Sequence, residues 1–407
     1  KEDQMMRLKY ENRLLTYIMT WNTLDIQFDA SNALLNPYLL LKQTCRYFQL
    51  KYRLNRLCKM LCNHSEITLE SHHGMIKLIS LWLSVDADAM DQTVSGDYVK
   101  STEAFIRRVR TYWPEMEEAS IFQALRNVWI MNAIQMMAGQ PFELTDAMFA
   151  YSMLYPLTDN LMDDPNLDPE SKKAFVLRFG DRLRGTKVDT INAHEADVFE
   201  MVRLIESQYV RADYPEVYES LLLIHDAQLK SLKQQGGQIS VEELTQLTFF
   251  KGSASVVADG YLVLGTLSDA QLDFLMGYGI VLQLADDLQD MTEDSKHMHA
   301  TLFSSAQSIE NRFECVEKLL ALSKLTLDKI VTPSPLFSSR LSSLLGSSMT
   351  LLIGDAIFEQ RKHFSRRFIR QIESMQVVRL SQHAKLKRLG GRWISRLKTS
   401  AFVRRFG

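Results

Sequence analysis

Apolar residues recur along most of this chain at spacings of three and four, the period of an amphipathic helix. Over residues 101–140, Phe105, Val109 and Trp113 make one such series. Phe122, Leu125, Trp129, Ile130, Ala133 and Met137 make the next. Gly139-Gln140-Pro141 closes that stretch, and Thr145 stands where an N-cap opens another helix. Residues 1–62 read as helical with a break at Asn36-Pro37. Residues 192–234 read as long helices that run to a turn at Gly236-Gly237. Ser240 with Glu243 three residues on then predicts a capping box. Residues 301–374 continue the helical pattern around Thr332-Pro333-Ser334-Pro335. Residues 63–99, with His72-His73-Gly74 and Asp86, Asp88 and Asp91, read as loop, and Ser95-Gly96-Asp97 as a connection. The expected fold class is all-α.

Composition sharpens this picture. The chain has 407 residues, 46% of them hydrophobic, with 9 prolines and 19 methionines, enough for a large helical core. A net charge of −2 carries no bias toward nucleic acid, and no nucleic-acid partner is expected. Four cysteines in a chain this long do not make a disulfide framework, so Cys58 and Cys62 read as buried thiols. No run approaches the roughly 18 apolar residues of a membrane span, and no signal peptide is visible, so a cytoplasmic setting is expected. Residues 375–407 differ: nine Lys or Arg, no Asp or Glu, and Trp393, Leu397 and Phe402 interspersed. That pattern suits peripheral contact with an anionic membrane, and equally a solvated or self-packing terminal helix.

The chemistry lies in two acidic clusters. Gly279 to Asp294 is an apolar run that ends in four aspartates, with Asp286, Asp290 and Asp294 at one-turn intervals and Asp287 bordering the same stripe. Carboxylates entering a core repel one another unless a cation meets them, and oxygen-only donors suit a hard ion such as Mg2+. Upstream, Tyr155-Pro156-Leu157-Thr158-Asp159-Asn160-Leu161-Met162-Asp163-Asp164-Pro165 places Asp159 and Asp163 one turn apart where Pro165 stops a helix. There the helix dipole disfavours negative charge, a penalty that a bound cation reverses. Lys251, between aromatic and small residues, is costly unless an anion meets it. Arg178 and Arg182 are one turn apart in a basic segment. They read equally as a solvated face and as donors to a diphosphate. Asp259-Gly260 reads as a break in an apolar run. Asp355, Glu359, Arg361 and Lys362 read as late-helix residues able to close a site.

The Gly279-xxx-Gln283-Leu284-x-Asp286-Asp287-Leu288-x-Asp290 stretch resembles the second aspartate-rich motif of isoprenyl diphosphate synthases and class I terpene synthases. Asp159-Asn160-Leu161-Met162-Asp163-Asp164 resembles the first. The likeness covers about Thr145 to Asp294 and is closest to bacterial class IB terpene synthases. It implies a single isoprenoid-synthase bundle around a central cavity, with residues 101–374 catalytic, 1–100 as N-terminal helices packed on it, and 375–407 as the basic segment. It implies a trinuclear Mg2+ cluster held by Asp159, Asp163 and Asp164 on one side and by Asp286, Asp287 and Asp290 on the other. Arg178, Arg182 and Lys251 would neutralise the substrate diphosphate. The implied reaction is ionisation of an allylic prenyl diphosphate, followed by cyclisation or quenching of the cation. Chain-elongating relatives carry an early Gly-Gly-Lys-Arg motif that is missing here, and Gly252 stands where they have threonine after the lysine. A terpene synthase is therefore expected before a prenyltransferase, and either before a non-catalytic helical partner of such an enzyme. A homodimer is a further expectation.

Overall fold

The computed structural model describes residues 2–24, 36–63, 69–85, 96–163, 168–235, 239–306, 308–330, 332 and 335–398. These hold fifteen α-helices and no strand, so the fold is all-α. In chain order they are α1 (Glu2–Thr23), α2 (Pro37–Asn63), α3 (Leu69–Leu83), α4 (Gly96–Tyr112), α5 (Glu118–Met137), α6 (Asp146–Asp163), α7 (Pro169–Leu183) and α8 (Ala193–Gln208). There follow α9 (Pro215–Ser231), α10 (Val241–Leu264), α11 (Asp269–Lys296), α12 (Ile309–Leu327), α13 (Pro335–Glu359), α14 (Arg366–Met375) and α15 (Leu380–Lys398).

Local chemistry sets several boundaries. The Thr145 hydroxyl accepts from the Met148 amide (3.2 Å) and opens α6. Ser240 caps α10 by accepting from the Glu243 amide (3.1 Å), but the reciprocal half of the expected box does not form, because the Glu243 carboxylate turns to Lys233 (3.3 Å). The complete capping box lies at α11, between Ser268 and Gln271. The reading of residues 63–99 as loop is corrected for Leu69–Leu83, which is helical. Met75, Leu78, Leu81 and Trp82 share a face there that packs with α2 and α15, and this burial outweighs the polar start of the segment. Asp86, Asp88 and Asp91 lie outside the described residues.

Two cores result. The main one joins α1 and α4–α14, with Leu380 from the start of α15. At its centre stands α10, buried on all sides over most of Leu244 to Val263. A satellite core of Leu50, Leu57, Leu78, Val378 and Leu386 joins α2, α3 and α15. The C-terminal segment is thus packed, at least to Trp393, whose indole N–H donates to Asn55 Oδ1 (2.9 Å). By length and composition alone, residues 339–359 of α13 are long and apolar enough to cross a membrane, which corrects the expectation that no stretch approaches a span. Leu341, Leu345, Met349 and Ile353 from that stretch lie in the main core.

The expected break at Asp259-Gly260 does not occur: α10 runs through it. Gly260 instead admits α11, since a Cβ there would stand 2.4 Å from Leu275 Cδ1. Asp259 is fully buried with no partner for either carboxyl oxygen among the described residues, and burial holds its pKa well above the usual carboxylate range. Near α5, α10 and α11, Ile134, Met137, Leu264 and Phe274 help line a void of about 20 Å3. That is room for a water or so, where a ligand pocket has roughly 300 Å3 or more.

The tightest approach is between α10 and α11. A Cβ at Gly279 would lie 2.2 Å from the Gly252 carbonyl oxygen, and one at Gly252 would lie 2.5 Å from that of Gly279. Backbone meets backbone, so no side chain can yield. Gly279→Ala is expected to cost roughly 1–3 kcal/mol in denaturant unfolding. Gly390→Ala on α15, where an added Cβ meets nothing within 4 Å, is expected to stabilise by up to about 1 kcal/mol. Equal effects from the two substitutions would contradict the close crossing.

Candidate active site

The crossing at Gly252 and Gly279 sets what faces what further along. Because α10 and α11 run antiparallel, Thr248 and Lys251 come level with the C-terminal half of α11. Asp287 turns inward and is buried. It accepts from the Gln283 side-chain amide (2.8 Å) one turn earlier and from the Thr248 hydroxyl (3.4 Å). Burial pushes its pKa up to about 7. The Gln283 hydrogen bond and the Lys251 charge resist that rise, and Asp286 and Asp294 add to it.

Asp286, Asp290 and Asp294 form the outward stripe. Asp286 is half-exposed and meets Arg126 of α5 (Oδ1 to Nη2, 3.4 Å). Asp290 is raised above the usual range by burial and then by Asp286, with Arg126 opposing. Asp294 is pushed up to about 6 by burial, then by Asp290 and Asp286. Lys251 and His297 oppose. Asp294 borders an open cleft with Gln235, His297, Met298 and His299. The row is short of positive charge: Lys251 acts on Asp287 and Asp294 through space, with no carboxylate within ion-pairing reach among the described residues. No three carboxylate, imidazole or thiol groups among the described residues converge closely enough to hold an ion unaided.

The end of α13 lies along the same half of α11. The Gln360 amide donates to Gln289 O (2.6 Å) and its oxygen accepts from Thr292 (2.5 Å). Asp290 feels the Glu359 charge. Of the late-helix residues expected near a site, Glu359 is thus close, though it pairs with Lys387 (2.8 Å). Asp355 instead joins α13 to α15 through His383 (3.1 Å) and Lys387 (2.7 Å).

The first cluster closes α6. Pro156 lies inside that helix without an amide hydrogen, and the described part of the helix runs to Asp163; Pro165, expected to stop it, lies outside the described residues. The side chains of Asp159 and Asp163, and all of Asp164, lie outside the described residues. The short α5–α6 connection makes these helices antiparallel neighbours, and the contact of Gln135 Nε2 with Met148 Sδ (3.4 Å) fixes their register. In that register Arg126 falls level with the last turns of α6. The backbone end of α6 and the acidic stripe of α11 therefore share one end of the bundle.

Arg178 and Arg182 are not brought to the stripe. Arg178 makes a two-pronged pair with buried Glu195 on α8 (Nε to Oε1 and Nη2 to Oε2, both 2.8 Å). Arg182 does the same with Glu206 (2.7 and 2.5 Å), which Arg211 also holds. Their fork geometry ties α7 to α8. Arg126 and Thr248 went unseen in the sequence, since helix spacing alone does not reveal which helices touch. Gln283 was legible in principle, four residues before Asp287 on the same helix. Comparison with known protein families and with curated proteins returns no match to this chain.

Because Asp294 binds its proton more tightly folded than unfolded, its ionisation opposes folding. Stability from this group is full below about pH 4 and is lost as pH rises toward 6. Without divalent cations, Asp294→Asn is expected to leave Tm unchanged near pH 4. At neutral pH it should raise Tm by about 2 °C, an effect of order 1 kcal/mol after screening by water over half the side chain. A lower Tm at neutral pH would show that the row is already compensated.

Proposed function

We propose that this chain is a class I terpene synthase. It ionises an allylic prenyl diphosphate by breaking the carbon–oxygen bond, the electron pair leaving with pyrophosphate, and lets the allylic cation cyclise or be quenched. The observation that carries the reading is the row Asp286, Asp290 and Asp294, half-buried at Asp286 and Asp294, exposed at Asp290 and short of counter-charge, at the same end of the bundle as the described end of α6. Its donors are all carboxylate oxygens, which fit Mg2+. Asp286 and Asp290, together with Asp159, Asp163 and Asp164 of the first cluster, would hold the ions that neutralise the diphosphate and make it a leaving group. Asp294 extends the row toward the cleft.

Asp287, expected among the metal ligands, is turned inward to Gln283 and Thr248, and its part is instead to orient the row from within. Lys251 and Arg126 contribute positive charge from α10 and α5. Arg178 and Arg182 drop out of the diphosphate role because Glu195 and Glu206 occupy them. A prenyl chain entering by the void near Phe274 would have to open the packed interior, since that void holds only about 20 Å3. Dry apolar walls would then keep water from the cation.

The test is incubation with Mg2+ and geranyl, farnesyl, geranylgeranyl or geranylfarnesyl diphosphate, with pyrophosphate and organic products measured. One of these substrates alone is expected to yield a hydrocarbon or alcohol. Asp286→Ala, Asp290→Ala and chelation should each lower the rate at least about 100-fold. Release that strictly needs isopentenyl diphosphate would replace this reading with a prenyltransferase, and no release from any substrate would remove it.

A further inference from the structure

The satellite core carries a surface that the proposed chemistry does not use. Its two outer helices, α2 and α15, each contain six Lys or Arg and no Asp or Glu. They lie side by side and run the same way: Arg379, just ahead of α15, donates to Thr44 Oγ1 (3.4 Å), and Trp393 donates to Asn55 fourteen residues later. Two helices of the same charge pack here because Leu50, Leu57 and Leu386 are buried between and beneath them.

The outward face of α2 is not the polar surface this arrangement would ordinarily have. Tyr38, Leu41, Phe48 and Tyr52 recur at helical spacing and are 71%, 63%, 61% and 67% exposed. Lys42, Lys51 and Arg53 flank them on α2, and Lys385, Arg388 and Arg392 stand exposed on α15. None of these six pairs with a carboxylate among the described residues, whereas Lys387 is engaged by Asp355 and Glu359.

We infer that α2 and α15 together form a docking face for an anionic lipid bilayer, with Tyr38, Leu41, Phe48 and Tyr52 entering the headgroup layer. An apolar stripe alone would suit any apolar partner. Twelve cations without one carboxylate on the two helices select a negatively charged one. Aromatic rings and a leucine beside long basic side chains match the boundary between headgroups and acyl chains, where Tyr anchors and Lys and Arg extend to the phosphates. A nucleic acid would satisfy the cations but leave Leu41 and Phe48 without an apolar partner. The face thus widens the membrane contact expected of the C-terminal segment into a two-helix surface in which α2 supplies the apolar part.

The experiment is co-sedimentation of the full chain with phosphatidylcholine vesicles and with vesicles that also contain phosphatidylglycerol, at low and high salt. Binding is expected only to the anionic vesicles and should fall at least tenfold at high salt. Lys42→Glu, Lys51→Glu and Lys385→Glu should each weaken it about fivefold or more. The combination Tyr38→Ser, Leu41→Ser, Phe48→Ser and Tyr52→Ser should abolish it with helical content unchanged by circular dichroism. Phe48→Ser alone, at a solvent-facing site, serves the same purpose if the combination unfolds, with at least a threefold loss expected. Binding to neither vesicle, or equally to both, overturns the inference. So does tighter binding to a single-stranded RNA homopolymer than to anionic vesicles. A dimer that Phe48→Ser splits, without vesicle binding by the parent chain, would assign the face to a second copy instead.

Discussion

The backbone contact between Gly252 and Gly279 is the constraint on which the site depends. Two helices that touch at their peptide groups have almost no freedom to slide or rotate, so residues a turn or two away are fixed as well. Thr248 and Lys251 are carried to the inner side of the acidic helix, where Thr248 joins Gln283 in holding Asp287. The outward carboxylates are left with one arginine, Arg126, at 3.4 Å. A larger residue at either glycine would part the helices and draw Thr248 on α10 away from Asp287.

The electrostatics follow from that geometry. Desolvation is the largest cause of the raised proton affinity at Asp287, Asp290 and Asp294, and neighbouring aspartates add to it. A protein without a use for such a row would place lysines along it, as elsewhere on this surface, where Glu293 pairs with Lys296 and Glu314 with Lys318. The row instead has Arg126 as its one ion-pairing partner among the described residues, at the end of the bundle that α6 also reaches.

Much of this was legible in the chain. The helical period gave the all-α class, the caps at Thr145 and Ser240, and the acidic stripe, because each depends on residues within a few positions of one another. Arg178 and Arg182 stayed open in the chain because a basic pair one turn apart looks the same whether it awaits a phosphate or a glutamate on another helix. Helix α3 was hidden because its apolar face has meaning only against α2 and α15. The inward turn of Asp287 was hidden for a similar reason: it depends on Thr248, thirty-nine residues away. The basic C-terminal segment was readable as amphipathic, but its alignment with α2 follows from the satellite core.

The central claim is that the acidic row holds a pyrophosphate group through divalent cations. The most direct measurement is calorimetric titration of inorganic pyrophosphate into the full chain with and without Mg2+, repeated on Asp286→Asn/Asp290→Asn. Saturable binding is predicted only when Mg2+ is present, with at least a hundredfold loss in the double variant. Pyrophosphate binding that is the same without Mg2+, or unchanged in the double variant, would contradict the account.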